Sequence, residues 1–147
     1  ALLGDAETNF GGDVIKDLPN QISLNLHMKL QICLDQFSSN FGIAKVQLSN
    51  SWVSIQRPHS KLQKHTHPGS EISGVLYLKA DEQSSPIYFY NPNPFAAFTT
   101  IRNYNSEYIS DSKKFIPETG TLLLFPSWLQ HGSGDDENMS KNKTGSC

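Results

Sequence analysis

The spacing of apolar residues divides the chain into one helix followed by strands. Ile22, Leu26, Leu30, Cys33, Leu34 and Phe37 follow one another mostly at intervals of three and four. At 3.6 residues per turn these side chains share one face, so residues 21–39 are expected to form an amphipathic helix. Asn20 is a candidate cap for its free N–H groups, and Gly42 suits the position beyond its end. Residues 1–19 are mixed and rich in Gly and Asp, and read as an irregular lead-in. After the helix the period drops to two. Residues 44–56 alternate through Val46, Leu48, Trp52 or Val53, and Ile55, which predicts a strand or a bent pair. Residues 71–79 and 86–90 are rich in β-branched and aromatic residues, and residues 120–125 are a short apolar run between turn residues. The stretch 91–119 is long and polar, with strand expected in part at Thr99–Arg102 and Lys113–Ile116. It reads equally as a substrate loop or a variable surface excursion.

One helix followed by successive strands predicts a mainly β sandwich or barrel with a helical buttress. No helices alternate with the strands, so parallel βαβ units are not indicated. The 147 residues suit a single domain spanning 1–147. Charge changes this picture little: 12 basic residues stand against 14 acidic ones, net −2, with no long basic run. A nucleic-acid or anionic-membrane surface is therefore not expected. No apolar run approaches the ~18 residues of a membrane span. The N-terminus does not resemble a signal peptide. Cys33 lies in the helical stripe as a core thiol and Cys147 is terminal, so a reduced, cytoplasmic protein is expected. The tail Asn138–Cys147 is polar and shows no strand pattern, as if the fold were cut short.

The chemistry concentrates in two segments. Lys64-His65-Thr66-His67-Pro68-Gly69-Ser70-Glu71 places two histidines at i and i+2, on one side of a strand that ends at Pro68-Gly69. Neutral imidazoles converging on one point suit Fe, Zn, Cu or Ni. Alone, such a pair reads as readily as surface histidines. The second segment, residues 117–131, launches a buried strand from a Pro117-Glu118-Thr119-Gly120 turn, ends it at Pro126, and brings His131 after a short bend. There His131 can face back into a barrel mouth as a third ligand. His27, off the helical spacing, and His59, after Pro58 in a turn, read as surface residues.

Together these segments read HxHPxSxxSGVxYL … GxLxLFPSWLxHG. They resemble the Fe(II)/2-oxoglutarate-dependent dioxygenases, and more narrowly the 2-oxoglutarate/Fe(II) oxygenases of marine bacteria and phages, themselves similar to prolyl hydroxylases. The resemblance covers residues 52–135. It implies a double-stranded β-helix with the α-helix packed outside, and Fe(II) as cofactor with 2-oxoglutarate as co-substrate. It implies an oxygenase that hydroxylates a peptidyl or small-molecule substrate. His65 matches the first histidine of the family's HxD/E motif and His131 its distal histidine. His67 stands where the carboxylate usually lies, so the implied metal set is His65, His67 and His131.

Glu71 offers an alternative carboxylate ligand. His65, His67 and Glu71 would look like the first half of a cupin motif, and a cupin-like metal-binding protein without oxygenase turnover is the alternative function. The second half favours the oxygenase pattern, because Gly120 and His131 are 11 positions apart and a cupin places them three apart. The family also pairs a basic residue on its last strand with the distal carboxylate of 2-oxoglutarate. Lys143 is the nearest match and Lys141 the next, with solvated tail residues as the other reading. Tyr77 matches a tyrosine whose hydroxyl reaches that carboxylate, with Tyr88 as an alternative. Trp52 and Trp128 read as core or rim packing. A missing last strand would expose a sheet edge and favour a homodimer.

Overall fold

The computed structural model describes residues 2–9, 12–95 and 110–146. The expected helix forms as α2, Asn20–Phe41. Pro19 is its cap residue, no side chain caps it, and Asn20 is already inside the first turn, so the expected Asn20 cap is not made. At the other end Gly42 adopts φ 64°, and its N–H reaches the carbonyls of Ser38 and Ser39. This left-handed closure suits a residue without Cβ. Leu34 is buried and Leu26, Leu30, Cys33 and Phe37 are partly buried, whereas Ile22 stays exposed. The segment after the helix forms a strand only at its end, as β3 (Val53–Gln56). Upstream, the side chain of Gln31 does what a ladder would. Its Nε2 donates to Val46 O at 2.8 Å and its Oε1 accepts from Leu48 N at 3.3 Å.

The lead-in is more ordered than its composition suggests. It holds β1 (Leu2–Leu3), β2 (Ala6–Thr8) and the one-turn α1 (Val14–Asp17). The remaining strands are β4 (Lys61–Leu62), β5 (Ile72–Lys79), β6 (Ile87–Tyr90), β7 (Ser112–Phe115), β8 (Leu122–Pro126), β9 (His131–Gly132) and β10 (Lys143–Ser146). The strand expected at Thr99–Arg102 lies outside the described residues. A five-stranded sheet runs β2-β3-β10-β5-β8 and a three-stranded sheet runs β7-β6-β9, with β1 and β4 paired separately. Every pairing is antiparallel. The architecture is mainly β and consistent with a jelly roll.

The largest departure from expectation is the tail. Residues 143–146 form a strand in the middle of the larger sheet, between β3 and β5. The expected exposed edge at that place does not exist, and with it goes the argument for pairing with a neighbour. The strand escaped pattern reading because Lys-Thr-Gly-Ser carries no apolar alternation.

Register decides which residues face inward. Lys143 lies opposite Gln56, and Gly145 lies opposite both Ser54 and Tyr77. Val75 faces Leu123 and Ser73 faces Phe125 across β5 and β8. Alternate residues share a face, so Lys143, Gln56, Tyr77, Val75 and Phe125 look the same way. Phe125 meets the smaller sheet there, its ring centroid 4.8 Å from that of Phe89. Tyr77, Ile87 and Phe125 are among the most buried apolar side chains.

Polar packing closes the end of the chain. Asn138 is fully buried. Its Nδ2 donates to the carbonyls of Gln56, Arg57 and Ser140, and its Oδ1 accepts from Ser85 N. Gly132 marks another tight place, because a Cβ there would lie 2.8 Å from Leu62 O and 3.0 Å from Lys64 N. Both neighbours are backbone and cannot swing away. Gly132→Ala is expected to destabilise the fold by about 2 kcal/mol, seen as a lower urea midpoint at unchanged slope.

Candidate metal centre

A pair of backbone hydrogen bonds builds the site. His65 N donates to His131 O at 2.9 Å and His131 N donates to His65 O at 3.0 Å. This exchange makes them a directly opposed antiparallel pair, which sets both side chains on one face. Their ring centroids are 4.2 Å apart. Two residues on, His67 N donates to Ser127 O at 3.0 Å and Ser127 N to Glu71 O at 3.0 Å. The segment holding the first two histidines is thereby strapped to the loop that leads into the third. The Ser73 and Ser127 hydroxyls, 2.7 Å apart, add a side-chain tie between β5 and that loop.

The imidazoles converge. One potential ligand atom from each of His65, His67 and His131 lies within 4.8 Å of the others. His65 Nδ1 lies 2.7 Å from Gln63 O and His131 Nδ1 lies 2.9 Å from Leu129 O. A carbonyl only accepts, so both Nδ1 atoms carry the proton and both Nε2 atoms present a lone pair. His67 Nε2 stands 3.2 Å from His131 Nε2. Two nitrogens on one ion at about 2.1 Å each, with an angle of about 90–110°, would be ~3.0–3.4 Å apart. The observed separation falls in the range two ligands sharing an ion would have.

Burial favours the neutral form of the rings, the form able to ligate a metal. It lowers the pKa of His65 and His67, with the charge of His65 adding to the effect on His67. His131, the most buried, is pushed down to about 4, chiefly by burial and then by the neighbouring His65 and His67. Phe125 and Phe89 wall it, at ring centroid distances of 4.7 and 5.9 Å.

The other expected site residues separate into two groups. Glu71 is exposed and is not part of the histidine group. Tyr88 and Tyr90 lie across β6 from Phe89. Tyr88 donates its hydroxyl to Asp136 Oδ2 at 2.7 Å, and the Lys64 ammonium sits 4.0 Å over the Tyr90 ring. Lys141 is exposed. Tyr77 and Lys143 come together on the inner face. Lys143 is only 7 % exposed, donates from Nζ to Ser85 O at 2.9 Å and to Ser85 Oγ at 3.1 Å, and lies 5.6 Å from the Tyr77 ring centroid. Ser85 was not legible as its partner, since it sits in a polar Gln-Ser-Ser-Pro turn with no pattern of its own. Trp52 is partly buried with its ring 5.9 Å from that of His67, and Trp128 is 63 % exposed.

The three imidazoles form a group that could hold one metal ion, carried by a mainly β fold. Residues 50–143 match the family described as "Putative 2OG-Fe(II) oxygenase". The chain belongs to that family, an oxidoreductase family that implies Fe(II) and 2-oxoglutarate. No curated protein matches it. Among solved structures it is similar to an oxidoreductase of the 2OG-Fe(II) oxygenase family from Burkholderia pseudomallei, with 13 % identity and a TM-score of 0.55. That match covers 77 % of this chain and 48 % of the other, so the chain spans about half the length of that protein. At this identity the likeness shows the fold alone. Among the described residues no helix is long and apolar enough to cross a membrane.

Proposed function

We propose that the chain is the catalytic unit of an Fe(II)- and 2-oxoglutarate-dependent hydroxylase, a single domain whose two larger sheets close as a double-stranded β-helix. The observation that carries this reading is the convergence of His65, His67 and His131, two of them with Nε2 freed by a carbonyl on Nδ1. Those three would hold the ion, which supplies the oxygen-activating redox chemistry when bound. Three neutral ligands leave its double positive charge uncompensated, and a dianionic co-substrate matches that charge. Lys143 would meet the distal carboxylate of 2-oxoglutarate from the inner face, as a point charge rather than a fork. Its Ser85 bonds and the Tyr77 ring hold the ammonium in place, and the Tyr77 hydroxyl is the candidate second donor. Phe89 and Phe125 would keep water from the His131 side of the ion.

Succinate formation from 2-oxoglutarate, with Fe(II) and ascorbate, tests the reading. Turnover of 2-oxoglutarate is expected. Metal binding without it would favour a cupin-like metal-binding protein. Lys143→Met is expected to raise the KM for 2-oxoglutarate by about 10–100-fold, the worth of one charged contact, with Fe(II) affinity unchanged by calorimetry. An unaltered KM would remove Lys143 from the co-substrate site.

A further inference from the structure

The three histidines are not held alike. His65 and His131 have their rings fixed twice, by the exchanged backbone pair and by an Nδ1–H bond to a carbonyl two residues back. His67 has a fixed backbone, but among the described residues the one polar approach of its ring is that of its Nε2 to His131 Nε2 at 3.2 Å, the pair that would face the ion. Among the described residues its Nδ1 has no carbonyl partner of that kind. Metal-binding histidines ordinarily depend on that outer bond for their orientation. Here an indole takes its place: Trp52 lies with its ring centroid 5.9 Å from that of His67 and its plane inclined by 50°. Both values fall within the range of a tilted aromatic contact.

The backbone that carries Trp52 is pinned on both sides. Ser51 O accepts from Val14 N at 2.9 Å, and the buried Ser51 Oγ accepts from Ile15 N at 3.1 Å and donates to Asp13 Oδ1 at 3.1 Å. Val53 N donates to Asn9 Oδ1 at 2.6 Å and Asn9 N returns a bond to Val53 O at 3.2 Å. These anchors fix where the Trp52 side chain leaves the backbone, while among the described residues the imidazole beside it has no carbonyl bond to orient it. We infer that Trp52 is the positioning residue of His67, its indole face doing for this ligand what the Gln63 and Leu129 carbonyls do for the other two. The inference rests on the proposed metal centre and assigns the third ligand an aromatic rather than a hydrogen-bonded support.

Co(II) alone serves as the probe, because its visible absorption reports ligand geometry without turnover. The wild-type chain, Trp52→Phe and Trp52→Leu are titrated, with circular dichroism melts as the fold control. Trp52→Leu is expected to weaken Co(II) binding by at least about tenfold and to shift the absorption bands, the usual size of an outer-support loss. Trp52→Phe, which keeps an aromatic face, is expected to restore most of the affinity. Wild-type affinity and bands in Trp52→Leu would overturn the inference. A second measurement leaves Trp52 in place. The chain has two tryptophans, so in Trp128→Phe all indole emission comes from Trp52. Saturating Co(II) is expected to quench most of it, and unquenched emission would equally overturn the inference. A wild-type chain that takes no Co(II) would instead overturn the metal centre itself, and the positioning role with it.

Discussion

Replacing His131 by Ala is expected to abolish measurable Fe(II) or Mn(II) binding and, with it, 2-oxoglutarate turnover. A four-ligand structural zinc site binds with about 10–16 kcal/mol, so one ligand is worth about 2.5–4 kcal/mol, or ~10²–10³ in affinity. His131 should lie at the top of that range. It is the most buried of the three, faces both partners, and contributes the Nε2 that stands 3.2 Å from His67 Nε2. Calorimetry measures the loss directly. Thermal melts add a control, since metal at a hundred times its Kd stabilises the wild-type fold by about 2.7 kcal/mol and should leave the variant's Tm unmoved. A variant that retains wild-type metal affinity would remove His131 from the centre. His67→Asp makes an informative companion. It restores the two-histidine, one-carboxylate set usual among the dioxygenases that the motifs resemble, and metal binding is expected to survive it.

The second large effect is on stability. Asn138→Ala is expected to destabilise the fold by about 3 kcal/mol or more and to lower the urea midpoint accordingly. The side chain is fully buried and bonds to three carbonyls and one N–H. Truncation strands those groups where water does not reach, and each buried orphan costs about 1–3 kcal/mol. Against a total of roughly 5–15 kcal/mol this is a large fraction. Because the bonds span Gln56, Ser85 and Ser140, the loss should loosen the approach to both β3 and β6. A midpoint within error of wild type would show that the network is dispensable.

How much was visible in the sequence depended on whether an element is held by apolar pattern or by hydrogen bonds. The helix, β5, β6 and β8 carry runs of Leu, Ile, Val, Phe and Tyr, and they form where the periodicity puts them. The histidines were legible because two short motifs and their spacing carry them. The tail was not legible. Asn138, Ser140 and Lys143 lie in a tail that reads as polar and without strand pattern, with solvation one of two readings for Lys143, yet all three are buried, satisfied by Gln56, Ser85 and Asp81. Pattern reading scores polarity as exposure and has no view of a partner some 50–80 positions away. The same blindness covers Tyr88, whose alternation partner Phe89 faces the histidines while its own hydroxyl bonds to Asp136. It also covers Gln31, which holds residues 46–48 where a ladder was expected.

The position of β10 has a kinetic consequence. Its partners β3 and β5 are made early on the ribosome, yet each keeps one open flank until residues 143–146 emerge. Lys143 closes against Gln56, a separation of 87 positions, so the main sheet is assembled around its latest member. Contacts of such range slow folding and leave unpaired strand edges available to other chains in the interval. A ribosome-stalled chain ending at residue 142 should be cut by protease in the β3–β5 region, and one carrying residue 146 clear of the exit tunnel should resist.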